Sequence, residues 1–191
     1  MIKKSKEIQH TYVAFLRGIN VGGHHKVPMA DLKTALQKIG FENVVTLLNS
    51  GNIIFDTSGE SSSNLEKTVS EHLETTFGFP IPTIIRTAEM ICDLLDSHPF
   101  KEVVITKDIR CYVSFLRKKV TTDLPLPWTS ANGSFKILGA KDQTILSVVD
   151  LAIAGTIEAM KVLENQYGKD IITTRNWKTI ERIGKKLNPE Q

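Results

Sequence analysis

The chain has few of the features that usually identify an activity. Its 191 residues include only two cysteines, Cys92 and Cys111, and no metal-ligand partners lie near either of them in sequence. We therefore interpret both as buried free thiols in a reducing compartment. The lysines at the N-terminus precede no long apolar run, which predicts neither a signal peptide nor a membrane anchor. These absences favour a cytoplasmic protein that holds no metal ion.

The net charge of the chain is also small. The chain carries 24 lysine and arginine residues against 21 aspartate and glutamate residues, a formal net charge of +3. So small an excess does not indicate a nucleic-acid or anionic-membrane surface, and basic clusters such as the one at 117–119 are interpreted as solvated surface. With 41% hydrophobic residues the chain can bury a substantial core, as one domain or as two fused halves.

No catalytic motif is legible in the spacing of the reactive residues. A Ser/His/Asp set, a supported Cys/His pair and paired carboxylates are all missing from the sequence pattern. The adjacent residues His24 and His25 point in opposite directions and have no third ligand at a useful spacing, which disfavours a metal site. They are more credible as titrating groups near an anion. The sequence leaves open whether the protein is an enzyme, and it predicts no cofactor.

What the chain does contain is an internal repeat. The run YVAFLR at 12–17 returns as YVSFLR at 112–117, and a second pair of similar runs, 84–87 and 171–174, leads into a helical pattern in each half. We interpret the repeat as a duplication with an N-terminal half at 1–98 and a C-terminal half at 99–191. Because Arg117 repeats Arg17 in the second copy, we assign Arg17 a structural role in preference to a functional one.

Hydrophobic periodicity, glycines and caps predict the elements of the first copy. They are a strand at 11–17, a helix at 29–39, hairpin strands at 44–48 and 52–55, a helix that begins with a capping box from Ser63 to Glu66 and ends at Gly78, a strand at 82–86 and a helix at 88–96. The βαββαβ order predicts an α+β fold of two ferredoxin-like halves. In that topology the loop after Arg17 and the 49–52 turn are neighbours.

The second copy is predicted to be degenerate. It has a strand from Tyr112, strands at 135–138 and 144–149, and a helix at 156–167 that carries Ile157, Met160, Leu163 and Tyr167 inward. Two prolines, Pro125 and Pro127, argue against a regular helix within 118–134.

Only the first copy follows its strand with a glycine-rich loop. A strand, a flexible loop and a helix can present backbone N–H groups and a helix N-terminus to an anion such as phosphate. His24 and His25 stand where a nucleoside-triphosphatase loop needs Lys and Ser or Thr, and the dinucleotide fingerprint is also missing. A tight connection without a ligand stays open as the alternative. The candidate ligand-binding residues are Gly18, Asn20, Gly22, Gly23, His24 and Lys26 of the loop, Ser50 and Asn52 of the neighbouring turn, and Arg175 and Asn176 near the end of the chain.

A second segment without a counterpart is TRNWKT at 174–179. Arg175 and Asn176 are predicted at the start of the last helix, where a guanidinium and an amide would suit a carboxylate or a phosphate. Capping and surface contacts are the alternative. Trp177 shares helical spacing with Ile180 and Ile183 and is predicted to lie in the core. Ser50 is interpreted as a turn residue, and as a nucleophile only with a base in reach.

At these motifs the chain resembles a family of uncharacterised bacterial proteins, domain of unknown function 1697. The resemblance rests on LRGINVGG at 16–23, Val27, Met29, SGN at 50–52, TRNW at 174–177 and Thr179, and it spans about residues 11–184. It departs from the family pattern at Leu47 and Asn49, where tyrosine and glutamine are expected, and in the region 150–165. The resemblance implies a cytosolic α+β protein with ferredoxin-like halves and implies no reaction.

Three functions are compatible with the sequence. The first is binding of a phosphate-bearing small molecule, a nucleotide or a sugar phosphate, at the glycine-rich loop. The second is RNA binding, which ferredoxin-like topology prompts although the third strand lacks the aromatic series of RNA-recognition motifs. The third is a protein-interaction module without a ligand, such as a homodimer formed through an open sheet edge.

Overall fold

The computed structural model of the protein describes residues 9–120, 124–168 and 172–188. Within these ranges two antiparallel sheets are accompanied by five helices, which confirms the predicted α+β class. The strands are β1 (Gln9–Leu16), β2 (Glu42–Leu47), β3 (Asn52–Ser58), β4 (Thr83–Thr87), β5 (Ile109–Leu116), β6 (Trp128–Thr129), β7 (Phe135–Lys141), β8 (Thr144–Asp150) and β9 (Ile172–Asn176). The helices are α1 (Met29–Lys38), α2 (Ser62–Phe77), α3 (Ala88–Asp96), α4 (Thr156–Tyr167) and α5 (Trp177–Leu187).

Some sequence-based expectations concern residues outside these ranges. The interpretation of the N-terminal lysines falls on residues 1–8, and the repeat at 171–174 begins with Ile171, which also lies outside them. Part of the proline-containing stretch, 121–123, is likewise not described. The described remainder of 118–134 contains no helix and forms the short strand β6 instead.

The chain divides into two compact units, Met1–Cys92 and Asp93–Gln191, so that the division falls within α3. The domain limits predicted from the repeat, 1–98 and 99–191, stay a prediction.

In the first unit the strand order is β2-β3-β1-β4, and β1 pairs antiparallel with both β3 and β4. Tyr12, Ala14 and Leu16 of β1 join the core that α1 and α2 cover. The alternate residues Val13 and Phe15 are also fully buried, which confirms the expectation that both faces of this strand are buried.

In the second unit the order is β6-β7-β8-β5-β9, and β5 pairs antiparallel with β8 and β9. The helix α4 has the predicted bounds but a different inner face. Its buried residues are Ala159, Leu163 and Tyr167, whereas Ile157 is 78% exposed. Ile157 lies two positions before Ala159, which is more than half a turn around the helix, so the same phase cannot bury both.

The pairing registers of the two units can be compared directly. Val13 of β1 pairs with Arg86, and Val113 of β5 pairs with Arg175. By register, Arg175 therefore has on β9 the position that Arg86 has on β4, and 84–87 corresponds to 173–176 in the two ladders. The sequence-based match of 84–87 with 171–174 differs from this structural correspondence by two residues.

The start of α2 also differs from the prediction. Ser61 is the N-cap, and its hydroxyl accepts a hydrogen bond from the Asn64 amide at 3.3 Å. With the cap two residues earlier than predicted, Glu66 is too far along the helix to complete a capping box. Its carboxylate is buried and instead accepts hydrogen bonds from the Ile85 amide at 2.9 Å and from Nη1 of Arg86 at 3.4 Å.

Candidate functional site

The glycine-rich connection between β1 and α1 is a tight hairpin. Val21 and His24 form an antiparallel bridge, and the His24 amide donates to the Val21 carbonyl at 3.1 Å. Gly22 and Gly23 occupy the two central positions with φ of 60° and 80°. Two consecutive positive φ values are what a two-residue type I′ turn needs, and glycine adopts them most readily. These glycines therefore serve the turn itself.

Asn20 fastens this connection to the neighbouring turn. Its Nδ2 donates to the carbonyls of Val27 at 3.0 Å and Asn49 at 2.9 Å, and its Oδ1 accepts from the Val27 amide at 2.8 Å. The bond to Asn49 confirms the expectation that the loop after Arg17 and the 49–52 turn are neighbours. All the polar atoms of the carboxamide are engaged, so Asn20 holds the two segments together.

The residues at the start of the connection have internal partners too. Gly18 has a positive φ of 75°, and its carbonyl lies 3.3 Å from Nδ1 of His25. The His25 ring stacks on Phe79 with centroids 4.3 Å apart. His25 thus packs the loop against Phe79 of the same unit and contacts the Gly18 carbonyl.

Ser50 and Asn52 build the turn between β2 and β3. Asn52 is fully buried, and its Nδ2 donates to the Leu47 carbonyl and to Oγ of Ser50, both at 3.0 Å. The Leu16 amide donates to the Gly51 carbonyl at 2.8 Å, which joins this turn to β1. These contacts favour the interpretation of Ser50 as a turn residue.

A depression of about 390 Å³ lies where the hairpin meets the start of α1. Of the predicted ligand-binding residues of the first unit, it brings together Asn20, Gly23, His24 and Lys26, whereas Gly18, Gly22, Ser50 and Asn52 do not line it. The other lining residues are Val27, Pro28, Met29 and Asn49.

The start of α1 gives this depression its electrostatic character. Pro28 is the N-cap and supplies no side-chain acceptor, so the first N–H groups of the helix are not capped by it. His24 and Lys26 are exposed beside this terminus. Asp31 in the first turn places a carboxylate on the same helix end and partly offsets the positive dipole.

Arg175 and Asn176 lie in the second unit and differ from each other in setting. Asn176 is the N-cap of α5, as predicted for a residue at the helix start, and its Oδ1 accepts from the Lys178 amide at 3.0 Å. Arg175 belongs to β9 and is only 9% exposed. Its Nη1 donates to Oγ1 of Thr173 and to the Thr174 carbonyl, both at 2.9 Å. Burial lowers the pKa of Arg175 to about 10, and at neutral pH the side chain stays charged within the strand.

A larger cavity, of about 920 Å³, lies in the second unit where the end of α3, the 98–110 segment and the first turns of α5 meet. Sequence reasoning missed it. Trp177 was predicted to lie in the core with Ile180 and Ile183, but only the two isoleucines are fully buried, while Trp177 is half-buried and lines the cavity. The signal in the sequence is the run 98–110, which contains Phe100, apolar residues and the basic residues Lys101, Lys107 and Arg110 but no helical periodicity.

A family model matches most of the first unit and the beginning of the second. Residues 10–131 match the profile of the family described as "Protein of unknown function (DUF1697)". The chain belongs to the DUF1697 family. The matched range contains the glycine-rich connection and the 49–52 turn of this DUF1697 protein, and it ends before Arg175 and Asn176.

A solved structure supports the fold of the DUF1697 protein. The conserved bacterial protein SP0830 from Streptococcus pneumoniae is similar to it, with 22% sequence identity and a TM-score of 0.67. The similarity covers 94% of this chain and 99% of that chain. At this identity the likeness shows a shared fold alone. No curated protein matches the chain.

Metal-ligating clusters and membrane-spanning helices are both missing from the described ranges. Within 9–120, 124–168 and 172–188, no three histidine, cysteine, aspartate or glutamate side chains form a group that could hold a metal ion. No helix in the same part of the DUF1697 protein is long and apolar enough to span a membrane.

The two free cysteines differ in exposure, because Cys111 is buried as predicted while Cys92 is only half-buried. Burial, and to a smaller extent the negative charge of Glu181, raise the pKa of Cys111 from 9.0 to about 11. A raised pKa means that the folded protein holds the thiol protonated until the pH approaches 11, so the thiolate that reacts with alkylating agents is rare at pH 8.

We therefore expect Cys111 of a Cys92→Ser variant to react with iodoacetamide at pH 8 about 100-fold more slowly in the folded protein than in urea, since two pKa units separate the two thiolate fractions. Intact-mass spectrometry over time gives both rates. Equal rates in the folded and unfolded chains would contradict the assignment.

Proposed function

We propose that this DUF1697 protein binds a phosphate-bearing small molecule, a nucleotide or a sugar phosphate, at the depression beside the hairpin. The observation that carries the proposal is the placement of two exposed basic side chains, His24 and Lys26, next to a helix N-terminus that its N-cap residue Pro28 leaves without a side-chain acceptor. An ammonium group and uncapped backbone N–H groups are both suited to phosphate oxygens.

The mode of binding would differ from that of a phosphate loop. The turn hydrogen bond of the hairpin and the carboxamide of Asn20 already engage much of the loop backbone. The contacts to a phosphate would therefore come from Lys26, from His24 and from the first N–H groups of α1. A few exposed charge-assisted contacts support weak binding, with a dissociation constant of about 1 mM for inorganic pyrophosphate.

We expect Lys26→Gln to weaken pyrophosphate binding about fivefold to tenfold, because the ammonium group supplies the main positive charge of the depression. Amide chemical shifts of residues 20–31 in a ¹H–¹⁵N NMR titration report the affinity at the site itself. Lys33→Gln, which removes an exposed lysine from the same helix away from the depression, is the matched control and should leave the affinity unchanged.

Asp31→Asn serves as the converse variant and should tighten the same binding, because it removes a negative charge from the first turn of α1. The proposal fails if pyrophosphate, nucleotides and sugar phosphates all leave the amides of 20–31 unshifted. It also fails if Lys26→Gln and Lys33→Gln weaken binding equally.

We also propose that each unit is a ferredoxin-like half and that the two halves arose by duplication. The support is topological. The order β2-β3-β1-β4 of the first sheet has the same pattern as β7-β8-β5-β9 in the second, with β6 added at one edge. The registers of Val13 with Arg86 and of Val113 with Arg175 agree with that correspondence of strands.

RNA binding is less well supported than phosphate binding. An RNA-recognition motif stacks bases on aromatic side chains exposed on the sheet face. In β3, by contrast, Ile53 and Phe55 on one face and Ile54 on the other are all buried. A homodimer and a cytoplasmic location stay predictions from the sequence.

A further inference from the structure

The cavity of the second unit has an apolar floor and a basic rim. Phe100 and Cys111 are buried at 7% and 6% exposure, and the Phe100 ring meets Trp177 edge to face with centroids 5.1 Å apart. Partly buried Leu95 adds to the same lining. The volume of the cavity, about 920 Å³, lies within the range of small-molecule sites.

Basic residues outnumber acidic residues in the lining of the cavity. Lysine and arginine contribute four side chains, at 101, 107, 110 and 178, whereas aspartate and glutamate contribute two, at 96 and 181. Lys101, Lys107 and Lys178 are exposed, so their ammonium groups lie at the mouth and not on the floor.

The start of α5 adds to this positive potential. Asn176, Trp177 and Lys178 form the N-cap and first turn of an 11-residue helix, and all three line the cavity. Because Oδ1 of Asn176 accepts from the Lys178 amide, the remaining polar group of its carboxamide is the donor Nδ2. A helix N-terminus and a donor amide both favour an anionic group.

We propose that this cavity binds an amphipathic organic anion, a molecule with a flat aromatic body and one carboxylate, sulfonate or phosphate group. The aromatic body lies on the floor formed by Phe100 and Trp177, where it displaces water from apolar surface. The anionic group lies at the mouth among Lys101, Lys107 and Lys178. Asp96 and Glu181 are exposed as well and offset part of this positive charge, which leaves the rim with a basic excess.

Two dyes with the same aromatic body test the proposal. 8-Anilinonaphthalene-1-sulfonate carries a sulfonate, and N-phenyl-1-naphthylamine is its neutral counterpart. In a Trp128→Phe variant Trp177 is the only remaining tryptophan, since the chain has two. We expect the anionic dye to bind this folded variant with one-to-one stoichiometry, to quench Trp177 and to bind about tenfold more tightly than the neutral dye. Circular dichroism before titration verifies that the variant is folded.

Charge reversal then tests the rim. The double variant Lys101→Glu, Lys107→Glu should weaken binding of the anionic dye at least about fivefold and leave the neutral dye unchanged. The control, Lys185→Glu with Lys186→Glu in the last turn of α5, changes the net charge equally at residues that do not line the cavity and should retain the preference. The proposal is overturned if neither dye quenches Trp177, if both dyes bind equally, or if both double variants behave alike.

Discussion

Replacing Glu66 with glutamine is expected to lower the free energy of unfolding by about 3 kcal/mol. The Glu66 carboxylate and the Arg86 guanidinium are almost fully buried, with side-chain exposures of 5% and 2%, and lie 3.4 Å apart. Burial lowers the pKa of Arg86, and the charge and hydrogen bond of Glu66 act in the opposite direction. Glutamine can still accept from the Ile85 amide, so the substitution removes mainly the negative charge beside a buried cation.

Urea unfolding monitored by circular dichroism measures this change. The matched control is Glu71→Gln in the same helix α2, where the carboxylate lies 4.0 Å from Lys67 and is 67% exposed. This exposed pair contributes little in water, so the control should change the free energy of unfolding by less than about 0.5 kcal/mol. Equal effects of Glu66→Gln and Glu71→Gln would show that burial does not strengthen the first pair.

A double replacement, Glu66→Gln with Arg86→Met, distinguishes an unpaired charge from lost packing. It removes both charges, keeps an acceptor for the Ile85 amide and leaves side chains of similar volume, and the loss of a whole buried ion pair is often nearly neutral in stability. We therefore expect the double variant to be more stable than Glu66→Gln alone. A double variant at least as unstable as the single one would show that the partners do not compensate each other.

Local signals in the sequence predicted the helices well. The bounds predicted for α3 and α4 agree with the structure residue for residue, and α1 differs by one residue at its end. Glycines after α2 and α4 and apolar periodicity within the helices are short-range features, so a single sequence contains them. The contact between the β1–α1 connection and the β2–β3 turn was also predicted correctly, because the predicted strand order places both at one end of the sheet.

The role of Glu66 could not be predicted in this way. Three consecutive serines at 61–63 offer three possible caps, and each places Glu66 at a different distance from the cap. The structure selects Ser61, while Glu66 pairs with Arg86, twenty residues later in the chain. Tertiary partners of this kind leave no pattern near the residue itself.

The two-residue difference in matching 84–87 to the second unit has a related cause. Strand side chains alternate with a period of two, so a shift of two residues keeps every residue on the same face. Similar isoleucines at 84–85 and 171–172 therefore favoured an alignment that the pairing of Val113 with Arg175 contradicts. Only the register of neighbouring strands distinguishes the two alignments.

The glycine-rich connection was ambiguous for a different physical reason. A two-residue hairpin and an anion-binding loop both require positive φ, so both favour glycine. The sequence could not separate them, whereas the bridge between Val21 and His24 identifies the hairpin. The cavity beside Trp177 was missed because its walls come from three separate segments.

Gly51→Ala is expected to lower the free energy of unfolding by about 2–5 kcal/mol, the sum of a backbone effect and a steric one. The φ of Gly51 is +71°, a conformation in which a residue with a Cβ is less stable by about 1–2 kcal/mol. A Cβ at this position would also lie 2.7 Å from Cβ of Leu16 and 2.8 Å from Cδ1 of Ile19. Both neighbours are buried, and overpacking of this kind adds about 1–3 kcal/mol.

Gly22→Ala separates these two contributions. Gly22 has a φ of +60°, but a Cβ added there would have no neighbour within 4 Å, so only the backbone effect of about 1–2 kcal/mol is expected. The difference between the two variants in urea unfolding then measures the overlap with Leu16 and Ile19. If Gly51→Ala and Gly22→Ala lose the same stability, the turn relaxes around the new methyl group. A larger loss at Gly51 means that the turn does not relax, as expected where the Leu16 amide donates a hydrogen bond to the Gly51 carbonyl at 2.8 Å and holds the turn against β1.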